Sequence, residues 1–283
     1  MKRIVILLLP VFLLVGIAFA MGGPAPEQKA AGYHVTLLDP VGDDNGPGNY
    51  TYPTDPVYVP GSFDLTKVDI EDAGDNVIFK VSVNAPISNP WGMASNFSVQ
   101  MVEIYIDTDH KAGSGFTKTM AGMDVLFSAD EAWDKCIIVS PQPISRVKGE
   151  VTGKSPDLAA GLVVPISTIP SGSTLIATVR KADLGVPQPG WGYQALMQSN
   201  EGFPDKDIIL ARMVNEYNGQ HRFGGGSDYR GDPQVMDMLV PPAKGGSDEI
   251  AKQHDVLSKY HADEDTAKIV NAVVPMVYPG TVQ

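Results

Sequence analysis

Apolar and polar residues alternate with period two along much of this chain, the mark of strands that bury one face. In the clearest stretch Val77, Phe79, Val81 and Val83 alternate with Ile78, Lys80 and Ser82. In the next run Phe97, Val99 and Met101 give way to Val102, Ile104 and Ile106, so the apolar face changes phase. A phase slip inside one strand predicts a β-bulge between Met101 and Val102. Further strands are predicted over 123–128, 132–139, 162–166, 174–180, 193–198 and 208–214, punctuated by turns rich in Pro, Gly, Asn and Ser. No helical repeat intervenes between them. The pattern therefore predicts an all-β fold, an antiparallel β-sandwich of immunoglobulin-like or jelly-roll-like type, and not an alternating α/β sheet.

The period changes late in the chain. Ser247 can cap a helix whose Asp248 and Glu249 favour its positive end, with Ile250, His254, Leu257 and His261 on one stripe. One short amphipathic helix near the C-terminus is expected. Residues 265–282 then read as a final strand, because Ile269, Val270, Val273, Val274, Met276 and Val277 are too apolar to stay in water.

At the start, Lys2 and Arg3 precede an apolar run from Ile4 to Ala20 that closes on Ala18-Phe19-Ala20. That is the pattern of a signal peptide, assigned to 1–20, with small residues where a peptidase cuts. Residues 21–32 read as a flexible spacer and 33–283 as one domain. The expected location is secreted, periplasmic or at the cell surface, with a membrane involved only if the leader stays uncleaved. The chain carries a formal net charge of −12, and loss of the two basic and no acidic residues of the leader takes it to −14. A surface that acidic, without a basic cluster, repels a phosphate backbone, which excludes nucleic acid and anionic lipid as partners. The single Cys136 permits no internal disulfide and sits in an apolar run, as a buried and inert thiol would.

An exported chain without disulfides must fix its loops by other means. Between Leu38 and Leu65, Asp39, Asp43, Asp44 and Asp64 stand among glycines and prolines that exclude helix and let oxygen ligands converge. Two readings fit: an acidic turn cluster bonding its own backbone, or a loop pinned by calcium. The density of like charge favours the cation, with Asp39, Asp43, Asp44 and Asp64 as ligands. A second acidic run, Asp107-Thr-Asp109 before Gly113-Ser-Gly115, fails the EF-hand pattern because Lys111 and Lys118 occupy ligand positions. Its aspartates are expected to cap a turn.

Several segments together resemble the glucodextranase C-terminal-like domain. They are Asp39-Pro-Val-Gly-Asp-Asp-Asn-Gly-Pro-Gly, Pro60-Gly-Ser-Phe-Asp-Leu, Asn89-Pro-Trp-Gly, Glu103-Ile-Tyr-Ile-Asp-Thr-Asp, Gly190-Trp-Gly-Tyr and Ala272-Val-Val-Pro-Met-Val-Tyr. Such domains occur appended to glucodextranase and amylopullulanase-type enzymes or alone as secreted proteins. They belong to a wider DOMON-like group with family 9 carbohydrate-binding modules and some haem-binding subunits. The resemblance implies a β-sandwich that binds polysaccharide or oligosaccharide, with an amylolytic enzyme as a possible associate.

Trp91 and Trp191 each sit at a turn beside a glycine, where an indole can offer its face to a sugar ring. Family 9 modules hold sugar between paired tryptophans, so the resemblance implies a clasp of this kind. Asn89, Tyr193 and Gln194 are the expected companions, with Asn96, Gln198 and Glu201 as further hydrogen-bonding candidates. The alternative is that each tryptophan plugs an end of the sandwich. The five histidines show neither His-x-His nor His-Glu-x-x-His spacing and there is no Gly-x-Ser-x-Gly, so no enzyme signature is present. The expected function is secreted, non-catalytic binding of an α-glucan or related polysaccharide, stabilised by calcium. Two alternatives stand beside it: a haem b-binding electron-transfer protein, for which eleven methionines offer axial ligands, and a structural cell-surface module without sugar.

Overall fold

The computed structural model describes residues 32–240 and 248–279. The alternating run at Val77 forms β3 (Asn76–Val83), the middle strand of a five-stranded antiparallel sheet. Its order is β1 (His34–Leu38), β2 (Leu65–Ala73), β3, β9 (Thr174–Arg180) and β8 (Ser167–Ser171). A second five-stranded sheet is ordered β11 (Asp237–Met238), β10 (Gly192–Ser199), β4 (Gln100–Asp107), β6 (Lys135–Val139) and β7 (Leu162–Val163). The sheets face one another across a core in which Val77, Phe79 and Val81 of the first meet Val102, Ile104 and Ile106 of the second.

The second sheet is buried on both faces, and this decides the fate of the expected bulge. β4 pairs with β10 in unbroken register from Gln100↔Ser199 to Asp107↔Gly192, so no residue is inserted between Met101 and Val102. Val102, Ile104 and Ile106 point into the inter-sheet core, while Met101 and Tyr105 point into a second apolar cluster on the other face. Every residue of β4 is buried. A strand covered on both sides loses its polar phase, and that loss imitates a slip. The register shift in the sheets lies instead in β2, between Leu65 and Lys67.

A third layer covers that second face. It includes α1 (Ile144–Lys154), α3 (Glu249–Leu257) and a short parallel pair of β5 (Val125–Phe127) with β12 (Ala272–Val274). The sandwich is thus joined by helices beyond the one expected, including the single turn α2 (Lys181–Leu184). α1 eluded the pattern because only Val147 and Val151 are buried and two glycines interrupt it. It gains support from the ion pairs Arg146–Glu150 and Glu150–Lys154 at i,i+4. α3 is capped by Asp248, whose carboxylate accepts from the Ala251 amide; Ser247 lies outside the described residues. The helix buries Gln253 and Leu257, and His261 falls beyond its end in a bridge to Val270.

Two other expectations are corrected. Residues 208–214 form no strand, only isolated bridges, with Leu210 held at a positive φ of 54°. The apolar 265–282 stretch yields a strand of three residues, and its partner β5 runs parallel to it, as β7 does to β6. Cys136 is fully buried in β6, as its apolar run predicts.

Glu103, on the second face of β4, is fully buried. It accepts a hydrogen bond from the Tyr105 hydroxyl, while its other oxygen has no partner. Burial pushes its pKa up to about 8. The folded state therefore holds a proton that the unfolded chain releases above about pH 4.5, so this group's contribution to stability falls as pH rises through that window. Glu103→Gln stays neutral throughout. Thermal melts across the neutral range should show the wild type losing ground to the variant as pH rises; a constant difference would show that Glu103 does not titrate with folding.

Candidate functional site

The acidic loop after β1 folds back beneath β11. Gly46, at a positive φ of 58°, donates its amide to the Met236 carbonyl, and a Cβ there would lie 2.3 Å from the Tyr50 ring. This turn carries Asp39 and Asp43 to Asp237 of β11, and carboxylate oxygens of the three lie within 4.8 Å of one another. All three side chains are buried. Asp237 accepts from the amides of Leu65 and Met238, and Asp39 from that of Val240. The second oxygen of Asp39 and both oxygens of Asp43 have no hydrogen-bond partner.

Burial first, and then the neighbouring carboxylates, pushes Asp39 up to about 9 and Asp43 up to about 7. Asp237 is raised for the same reasons. Unpaired carboxylate oxygens so close together and so dry are strongly unfavourable unless they bind protons or a cation. The donor set is all oxygen, as a hard divalent cation requires. α3 closes over the loop: Gln253 donates to the Asp43 carbonyl and accepts from the Met238 amide, and His254 pairs with Asn45 at 2.9 Å.

Two of the four expected ligands therefore belong to this cluster and two do not. Asp64 accepts from the Gly42 amide through both oxygens and from the Asn84 side chain. Asp44 accepts the Tyr52 hydroxyl. Both tie the loop by these bonds, and Asp64 stands near enough to help raise the pKa of Asp39 and Asp43. Asp237 was missed, although the sequence holds a signal. It is a lone carboxylate inside the run Val235-Met-Asp-Met-Leu-Val240, where a buried charge demands a partner. Asp107, by contrast, caps its turn through the amides of Asp109 and His110, as expected.

The tryptophans part company. Trp191 is only 6% exposed and closes one end of the inter-sheet core against Gly185. Trp91 is 37% exposed, in the loop between β3 and β4, with its ring edge-on to Tyr58 at 6.1 Å. Trp191 precedes β10, whereas the cleft beside Trp91 is lined by Asn200, which follows it. The eight residues of β10 separate the two ends by about 25 Å, at about 3.3 Å per residue. No single sugar can touch both. The other expected companions of Trp191 are also structural. Tyr193 bonds Tyr33 at 3.0 Å, and Gln194 donates to the carbonyls of Leu239 and Pro275, both inside the fold. Asn89 pins the Trp91 turn by bonding the amide and carbonyl of Met93.

The aromatic that shares a cleft with Trp91 is Phe203, 95% exposed, in a cleft of about 420 Å³. Its other lining residues include Gln142, Asn200, Glu201, Arg212 and His221. They form two bonded groups. Gln142 donates to Asn200 at 3.1 Å, Arg212 pairs with Glu201 at 2.6 Å, and Arg212 also donates to the His221 carbonyl. Exposed aromatic rings beside a rigid set of amide and charged groups are suited to a ligand with both apolar faces and hydroxyl edges. Met101, Met197 and Met238 are packed as core residues, on one face or the other of the second sheet.

Residues 35–275 match the family described as the C-terminal binding module, SLH-like, of glucodextranase. The chain belongs to this family. The family so described is a binding module and not a catalytic domain. No curated protein matches the chain. Among the described residues no helix is long and apolar enough to cross a membrane.

The contrast between the tryptophans is measurable. Trp191→Ala should cost about 3–5 kcal/mol of unfolding free energy, as for a buried ring removed from a core, and Trp91→Ala less than half of that. Denaturant titration of both variants checks this; equal losses would place both rings in the core.

Proposed function

We propose that this protein is an exported, non-catalytic carbohydrate-binding protein whose ligand is an α-glucan or related polysaccharide, and that it serves an amylolytic system. The observation that carries the reading is the cleft in which Trp91 and Phe203 stand exposed over bonded polar groups. Sugar rings stack on aromatic faces through their C–H surfaces and present hydroxyls at their rims. The polar residues of this cleft are held by one another, so little freedom is lost when a ligand arrives. Membership in a family of binding modules from glucodextranase supports the same reading.

Calcium belongs to the proposal as a structural ion. Asp39, Asp43 and Asp237 would hold it, because three buried carboxylates so close together, with the oxygens of Asp43 and one of Asp39 unpaired, need a positive charge. Bound there, the ion would tie the loop after β1 to β11 and to the helix packed on it.

Calorimetric titration with maltooligosaccharides and soluble glucans tests the sugar site. Binding should be weak, and Trp91→Ala and Phe203→Ala should each lower affinity by roughly tenfold, equivalent to about 1.4 kcal/mol. Phe203 is so exposed that its variant should keep the wild-type melting temperature. Unchanged affinity in both variants, or a wild type that binds no glycan, would defeat the assignment.

Chelator should lower the melting temperature of the wild type and calcium should restore it, since an ion that binds only the folded state stabilises it by mass action. Asp43→Asn breaks no side-chain hydrogen bond while removing a buried charge. It should abolish the response to calcium and melt above the wild type in chelator at neutral pH. A variant that still responds to calcium would place the ion elsewhere.

A further inference from the structure

Phe203 does more than complete the cleft beside Trp91. Its 95% exposure leaves both ring faces free, whereas a one-sided stacking platform rests one face on protein. A second hollow, of about 210 Å³, lies against the same residue and shares Glu201, Phe203, Arg212 and His221 with the first. Beyond the ring it is lined by Asn215 and Arg222. The two hollows together fall within the roughly 300–1,000 Å³ that small-ligand sites occupy.

The loop that carries the ring is fixed. Glu201 accepts from the Phe203 amide at 2.8 Å and pairs with Arg212, Arg146 donates to the Gly202 carbonyl, and Pro204 follows. The backbone that presents the ring is thus held in place before any ligand arrives.

Neither end of the trough is walled off. Past Trp91 it meets, at Met93 and Gln142, a groove of about 350 Å³ beside α1. Past Arg222 the second hollow meets, at Asp205 and Met213, a further cleft of about 460 Å³. A site that reads a chain end must close behind the terminal sugar to exclude the next one. This one is open in both directions.

We infer that the Trp91 cleft is one segment of an open groove that takes the interior of a glycan chain, with Phe203 dividing two sugar subsites that only a chain longer than a disaccharide spans. The inference rests on the carbohydrate reading of that cleft and adds how the chain lies in it. Sugars on opposite sides of the Phe203 ring stack on its two faces, Trp91 serves the first and Arg222 the hydroxyls of the second.

The test is titration with maltooligosaccharides from the disaccharide to the heptasaccharide, each also in its reduced, alditol form. Affinity should rise by roughly tenfold along the series as further rings find stacking partners, and reduction of the chain end should leave the long members unchanged. Arg222→Ala, at an exposed position, should weaken the long oligosaccharides several-fold and leave the disaccharide unaffected. Affinity that stops rising at the disaccharide, or that is lost on reduction of the chain end while Trp91 is still required, would overturn the groove and leave the sugar site standing. Absence of binding at every length would overturn both.

Discussion

Three buried carboxylates, two of them with unanswered oxygens, set the terms for one whole edge of this fold. Asp39 and Asp43 come from the loop after β1 and Asp237 from the edge strand of the other sheet, nearly two hundred residues later. Bringing them together joins the two sheets, and α3 packs on the same junction through Gln253 and His254. Charges of one sign in a dry site oppose that assembly. The junction therefore depends on whatever supplies the compensating positive charge, a proton when no ion is present and calcium in the proposal above. Asp64 and Asp44 lie nearby but already have donors, and their task is to hold the turn that presents the other two.

The second sheet imposes the other constraint. Because β4 and β10 are buried on both faces, every polar group they carry must find a partner inside the protein. Gln194 and Gln198 do so by donating to carbonyls of the segments around β11 and β12, which fastens those segments to the sheet. Gln100, Glu103 and Gln194 nonetheless each keep one side-chain oxygen unanswered. The loops at one end of the sheet bury some residues in the core, Phe97 and Ile209 among them, and leave others outside it. Trp91, Asn200 and Phe203 emerge there, above strands rigid enough to hold their spacing.

The same logic explains why the two tryptophans differ despite nearly identical surroundings in the chain. Asn-Pro-Trp-Gly and Pro-Gly-Trp-Gly both describe a turn, and a turn does not say which way its ring points. Trp191 enters a strand that is buried on both faces, so its indole is drawn inward. Trp91 sits in a loop whose turn is pinned by Asn89, and its ring rests edge-on to Tyr58 with one side in water.

By itself the sequence determined the sandwich, the strands at Asn76–Val83 and Thr174–Arg180, the burial of Cys136 and the acidic loop as a place of concentrated charge. These are local properties: period two, turn residues and charge density are all read from neighbours in the chain. Tertiary structure alone decided the third layer, because a strand covered on both faces and a helix with two buried valines carry no distinctive period. It also decided which carboxylates meet, since Asp237 joins Asp39 and Asp43 only through the pairing of β11 with β10. And it decided that Phe203, not Trp191, shares the cleft with Trp91: which rings stand in one space depends on where strands end, and a strand's two ends lie on opposite sides of the molecule.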